Sequence, residues 1–263
     1  MNIDALIHRF HHPTVTAIAL FGSHARGDAG PYSDIDFIRF VNSDEADPPG
    51  SGSHLIDDTL VVVTNYTPST VNRWFTDPTA AVQVIAGLRQ AKPLWDPNGE
   101  FARLQARAHA FTWTDELQVK ADLWASEQMV GWIEEVHKGL EGLHRQDVGR
   151  LLNASFGLSW GLAGVVKVQR GVLFYSDNNV IDQVMASVGV DTLWSQLCAI
   201  SFGVGEVHDR PPSLRERVVA GLHLYTVTAE LLSTAIQPEH VTMVRRTVDR
   251  INIDLEDAYH GEQ

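Results

Sequence analysis

Cysteine is nearly missing from this chain. One thiol, Cys198, cannot build a disulfide framework, so we expect a reducing compartment, the cytoplasm by default. Its apolar neighbours Trp194, Leu197 and Ile200 make it a small core residue rather than a nucleophile. Long hydrophobic runs are also missing: none approaches the ~20 residues a membrane span needs, so no membrane association is expected. The opening MNIDALIHRFHHP has neither the basic patch nor the apolar stretch of a secretory signal. Basic residues are few, 20 Lys and Arg against 33 Asp and Glu, for a net charge of −13 with no Lys/Arg-rich run. Nucleic-acid binders gain affinity by neutralising phosphates, so a nucleic-acid partner is disfavoured. An acidic surface suits a small cationic or neutral molecule instead. The twelve histidines include no pair with a partner at zinc-ligand spacing, and we read them as surface residues. Repeats and low-complexity tracts are absent.

The 263 residues, 44% of them apolar, can bury one large core or two modest ones. The pattern predicts an amphipathic helix over residues 2–10 and a buried strand over Val15–Phe21. Residues 34–41 (DIDFIRFV) alternate as a strand with two different faces. The polar run 43–54 reads as an exposed loop leading to a third strand, Thr59–Tyr66, in an order that allows antiparallel pairing with the second. Helices follow at Ser69–Phe75 and Pro78–Gly87, then an edge strand at Pro93–Trp95 and a turn at Asp96–Gly99. From about residue 114 long helical patterns take over, near 115–144, 147–170, 177–188, 191–203, 213–235 and 238–257. Ser213-x-x-Glu216 forms a capping box at one of these starts. Most tryptophans at helical spacing (Trp124, Trp132, Trp160, Trp194) are assigned to the core. The fold class expected is α+β: a small mixed-sheet domain over 1–113 followed by an all-helical domain over 114–263.

One constellation carries chemistry. Asp34 and Asp36, two apart on a strand, point to the same face a few ångströms apart. Unpaired, they would repel, and burying both is costly unless a cation sits between them. A hard divalent ion such as Mg²⁺ meets that need, adding substrate phosphates to one or two carboxylates. Gly22-Ser23, at the tip of the neighbouring strand, lets backbone N–H groups approach a phosphate and adds a hydroxyl. Arg26 adds a permanent positive charge beside a triphosphate. A D-x-D or a Gly-Ser alone says little; strand, Gly-Ser, Gly-rich turn and a strand opening on D-x-D together point to phosphoryl chemistry on a nucleotide.

At GSHARGDAGPYSDIDF (22–37) the chain resembles the DNA-polymerase-β-like nucleotidyltransferase superfamily. The run Gly30–Ile35 and the order of a small domain before a helical one are most similar to the kanamycin-type antibiotic nucleotidyltransferases. The sharp match spans about 20 residues. The resemblance implies an enzyme that uses Mg²⁺ and ATP or another NTP, with Asp34 and Asp36 as metal-binding catalytic carboxylates and Gly22 and Ser23 as the phosphate-binding pair. It implies a small-molecule hydroxyl acceptor, an aminoglycoside-like antibiotic among the candidates, and a substrate-binding role for the helical domain. It further implies a catalytic base, Glu134, with Lys138 one turn later touching the nucleotide; the same spacing also suits an ordinary surface ion pair. Glu127 and Glu135 are reserve candidates. The superfamily's third carboxylate falls on a strand that reads Leu60-Val61-Val62-Val63-Thr64 here, and Asp57 and Asp58 lie upstream in a turn. A nucleotide-binding regulator without turnover, or a transferase acting on a partner protein, therefore stay open, as does a homodimer. Arg217 and His223 loosely resemble a helical ribonuclease pattern, and we read them as part of an amphipathic helix.

Overall fold

The computed structural model describes residues 3–260, with side chains through residue 256. The chain runs α1 (Ile3–Phe10), β1 (Val15–Phe21), α2 (Gly22–Arg26), β2 (Ile35–Val41), β3 (Gly52–Ile56), β4 (Thr59–Tyr66), α3 (Pro68–Arg73), α4 (Pro78–Gln90), β5 (Lys92–Trp95) and α5 (Glu100–Ala110). The helices α6 (Asp115–Gly131), α7 (Ile133–Arg145), α8 (Val148–Gln169), α9 (Val180–Val188), α10 (Leu193–Phe202), α11 (Leu214–Leu231) and α12 (Pro238–His260) complete it. This is the α+β class expected, a mixed sheet followed by helices. The helix expected from residue 2 begins at Ile3; Asn2 lies outside the described residues.

Contacts divide the chain into two compact units: residues up to Leu117 with Leu173–Asn178, and Gln118–Val172 with the residues from Asn179 onward. A single cut near residue 113 misses the return of six residues, 173–178, to the sheet unit.

In the first unit the strand order is β3-β4-β2-β1-β5. One face packs Val15, Leu20, Ile35, Phe37, Val61 and Val63 against Leu6 and Phe10 of α1. The other sets Ala17, Ala19, Ile38 and Phe40 against Ile85 and Leu88 of α4 and Phe101 of α5. The alanines leave room for aromatic rings from the covering helices. Asp77 caps α4, accepting from the N–H groups of Thr79 and Ala80.

Two expectations for the sheet are corrected. Residues 52–54 are not loop but the start of β3, which pairs antiparallel with β4. The hairpin turns at Asp57 and Asp58, both at positive φ, the backbone of a tight two-residue turn. Because β3 reverses the chain first, β4 runs parallel to β2, with Asp36 opposite Val62. Arg39 is fully buried and holds the stretch before β3 in place. Its guanidinium donates to the carbonyls of Phe10 (3.0 Å), Pro48 (3.0 Å) and Pro49 (2.9 Å) and to Asn65 Oδ1 (2.8 Å). A charge is tolerated there because every face of the fork finds an acceptor. The helix α5 was also not foreseen.

In the second unit α8 packs against α7, α10 and α11. It is long and apolar enough to cross a membrane, a feature not foreseen from the sequence, yet 67% of that stretch is buried among its neighbours, as in a core helix. The single helix expected over 115–144 is broken at Trp132. The Trp132 ring lies against Gly161 so closely that any Cβ there would collide with it. Trp160, expected in the core, is exposed, whereas Trp194 is buried and donates to Thr228 Oγ1 at 2.9 Å. Cys198 is buried and its thiol is pushed up to about 12 by the loss of hydration. The Ser213–Glu216 capping box is formed as expected.

Candidate active site

The site grows out of the ends of β1 and β2. Their antiparallel register sets Phe21 opposite Asp36, so the residue after the strand, Gly22, meets the Asp36 side chain. Gly22 has φ +66°, and a Cβ added to it would run into Asp36 Oδ2. Only glycine permits both this backbone and this approach. The next residues form the single turn α2, whose end is closed by Gly27 N–H donating to the Ser23 carbonyl at 2.8 Å. The loop back to β2 is tightened by Gly30 N–H donating to Ser33 Oγ at 2.9 Å.

Asp34 stands just before β2 and Asp36 within it, both half-buried. Together with Gly22, Ser23, Arg26, Tyr32, Tyr175 and Asp177 they line a cavity of about 620 Å³, a usual size for a small-molecule site. Burial raises the Asp36 carboxyl above its ordinary value, the charge of Asp34 raises it further, Arg26 and His24 pull it back, and Asp177 adds a smaller push upward. Carboxylates so placed are unfavourable alone and become favourable beside a cation. Hard oxygen donors two residues apart, with an open cavity beside them, fit a divalent ion that keeps water and phosphate in its remaining positions. Among the described residues, no three His, Cys, Asp or Glu side chains form a ready-made ligand set.

Arg26 is the cationic wall. Its Nε pairs with Asp28 at 3.1 Å, its Nη1 donates to the Tyr175 carbonyl at 3.2 Å, and its guanidinium lies 5.9 Å from the Tyr175 ring. The backbone and ring of Tyr175 thus orient the guanidinium on the cavity side shared with Ser23. His24 Nε2 is buried without a hydrogen-bond partner.

The five sequence candidates Gly22, Ser23, Arg26, Asp34 and Asp36 are brought together in this one cavity. Glu134 and Lys138 belong to the second unit, where Lys138 Nζ pairs with Glu134 at 2.8 Å and with Glu135 at 2.7 Å. The Glu134 carboxyl is 75% exposed and is held below its ordinary value by that lysine. Glu135 is the more buried partner, and its Oε2 has no hydrogen-bond partner. Asp57 and Asp58 occupy the β3–β4 hairpin turn and are not among the cavity residues. His223 lines a separate cavity of the helical unit with Arg215, while Arg217 donates to the Ser201 carbonyl. A further cavity of about 690 Å³ lies along α7 and α12, where its charged residues include Arg250 and Asp254, already paired with each other. The turn Tyr175–Asn178 is the part of the site that sequence reasoning missed. FYSDNN looks like any polar connector, and nothing local ties it to residues 22–36.

Residues 5–131 match the family described as nucleotidyltransferase domain. No curated protein matches the chain. Among solved structures, a nucleotidyltransferase-like protein from Exiguobacterium sibiricum superposes with a TM-score of 0.52 at 11% identity, covering 97% of this chain and 87% of that one. At such identity the likeness concerns the fold alone. The domain match reaches from α1 to the end of α6 and so contains every cavity residue up to Asp36.

Proposed function

We propose that this chain, whose residues 5–131 match a nucleotidyltransferase domain, moves a nucleoside monophosphate from an NTP to a hydroxyl of a small molecule. The observation that carries the reading is the cavity in which Asp34 and Asp36 meet the Gly22-Ser23 turn. Asp34 and Asp36 would hold Mg²⁺ together with the triphosphate, since burial and the neighbouring Asp34 charge leave the Asp36 carboxylate in need of a cation. A bound Mg²⁺ would supply charge neutralisation at the phosphates and at the attacking oxygen. The Gly22-Ser23 turn would receive the phosphate oxygens, and Arg26 would neutralise charge on the pyrophosphate side.

In the transfer step the acceptor oxygen bonds to the α-phosphorus and the bond to the oxygen bridging to the β-phosphorus breaks. Pyrophosphate departs with that electron pair, and the hydroxyl proton passes to a base. We assign the base to Glu134, which its neighbour Lys138 keeps ionised, and give Lys138 a contact with the nucleotide. The sheet unit, residues up to Leu117 with Leu173–Asn178, would then be the catalytic one, and Gln118–Val172 with the residues from Asn179 onward the acceptor-binding one. The acceptor class rests on the acid excess and the kanamycin-type motif, so aminoglycosides lead the panel to be tested. The single, buried cysteine supports a cytoplasmic setting.

The test is pyrophosphate release from Mg·NTP with a panel of aminoglycosides and lincosamides, comparing Asp34→Asn and Asp36→Asn with the parent. Release that survives both substitutions ends the assignment. A second reading, nucleotide binding without turnover, is favoured by one observation: Val62, beside Asp36 on β4, brings no third carboxylate. Thermal stabilisation by Mg·NTP with no release on any acceptor would select it.

A further inference from the structure

The strand next to β2 leaves one side of the carboxylate pair without an acid. In the parallel register Val62 stands opposite Asp36 and Val61 opposite Ile35. The first unit does contain another acid at this cavity, supplied from much later in the chain. Leu173–Asn178 folds with the sheet, and within it Asp177 lines the same cavity as Asp34 and Asp36. The turn is anchored there by the Arg26 guanidinium on the Tyr175 carbonyl at 3.2 Å.

We propose that Asp177 is the third acid of the cation site, reaching the ion through a cation-bound water, and that the turn Tyr175–Asn178 is part of the nucleotide-binding machinery. This rests on the reading of Asp34 and Asp36 as the cation-binding pair. The water link follows from two facts. Asp34, Asp36 and Asp177 do not converge as a direct ligand set among the described residues, and Mg²⁺ gives up its waters reluctantly. A third negative charge facing two others in one cavity is otherwise unfavourable, and a divalent ion between them reverses the sign of that interaction. The plain alternative is that Asp177 serves only the 3₁₀ turn it opens, Asp177–Asn179, ahead of α9. That role would change stability and leave the metal requirement untouched.

The experiment separates the two. Binding of a non-hydrolysable ATP analogue is measured by calorimetry on the full chain across a Mg²⁺ series and in EDTA, for the parent, Asp177→Asn, Asp177→Glu and Asp177→Asn with Val62→Asp. Asp177→Asn should raise the Mg²⁺ concentration for half-maximal binding about tenfold, the scale of losing a partner outside the direct ligands. Asp177→Glu keeps the charge and should stay within about threefold of the parent on the same scale. Val62→Asp, placing an acid beside Asp36, should recover most of the loss. An Asp177→Asn protein that binds nucleotide with the parent's Mg²⁺ requirement overturns the proposal. Nucleotide binding by the parent that ignores Mg²⁺ overturns instead the cation-pair reading beneath it.

Discussion

Replacing Gly22 by alanine tests the site's architecture at its tightest point. Gly22 has φ +66°, and its added Cβ would overlap Asp36 Oδ2 and lie 3.1 Å from Asp36 Cγ. The backbone cost of an L-residue in that region is about 1–2 kcal/mol. For a unit of this size that lowers Tm by roughly 3–6 °C per kcal/mol. The collision has a different consequence. The carboxylate must swing away, and a displacement of about 1 Å at a reacting centre costs on the order of 100-fold in rate. Gly27→Ala supplies the control: its φ is +88°, equally strained, but nothing lies within 4 Å of the new Cβ. Both variants should therefore lose similar stability by thermal unfolding, while only Gly22→Ala loses pyrophosphate release. Equal activity losses in the two would refute the claim that contact with Asp36, rather than backbone strain, is what glycine is needed for.

Arg39→Leu strands the acceptors of Phe10, Pro48, Pro49 and Asn65 around a buried site, and urea unfolding should show a loss of about 3–5 kcal/mol; a loss under about 1 kcal/mol would mean water replaces the guanidinium. The raised Asp36 carboxyl gives a signed pH effect. A folded-state value above 3.8 means that ionisation opposes folding, so its stabilising contribution is present below 3.8 and lost as pH rises through the raised value. Asp36→Asn should thus be more stable than the parent at pH 7 in EDTA, with the gap closing as the pH falls towards 3.8; a gap unchanged across that range would contradict the electrostatic account. Glu134→Gln should lower kcat by at least about 100-fold with little change in nucleotide affinity, as loss of a general base does, whereas unchanged kcat would return Glu134 and Lys138 to the role of a surface ion pair.

What was legible in the sequence was local. β1 could be bounded because VTAIALF is a dense apolar run between turn signals, and α4 and α11 because Asp77 and Ser213 announce their caps. The Gly22–Asp36 half of the cavity was legible for the same reason: its chemistry is compressed into one strand-turn-strand. β3 was not, because GSHLI is an exposed edge strand whose Gly, Ser and His carry no apolar alternation. The break falls at Trp132, whose ring packs on Gly161, a contact that no window around residue 132 contains. Arg39 shares its strand face with the buried Ile35, Phe37 and Val41, and its guanidinium is satisfied by the chain around Pro48, a contact only the tertiary fold creates. Asp177 stayed hidden by distance along the chain.

The most direct measurement is the affinity for a non-hydrolysable NTP, with Mg²⁺ and with EDTA, in the parent and in the Asp34→Asn/Asp36→Asn double variant. Paired acids that become favourable only around a divalent ion predict tight binding that requires Mg²⁺ in the parent. They predict a double variant in which Mg²⁺ makes no difference. Nucleotide binding of equal strength in all four conditions would contradict the account.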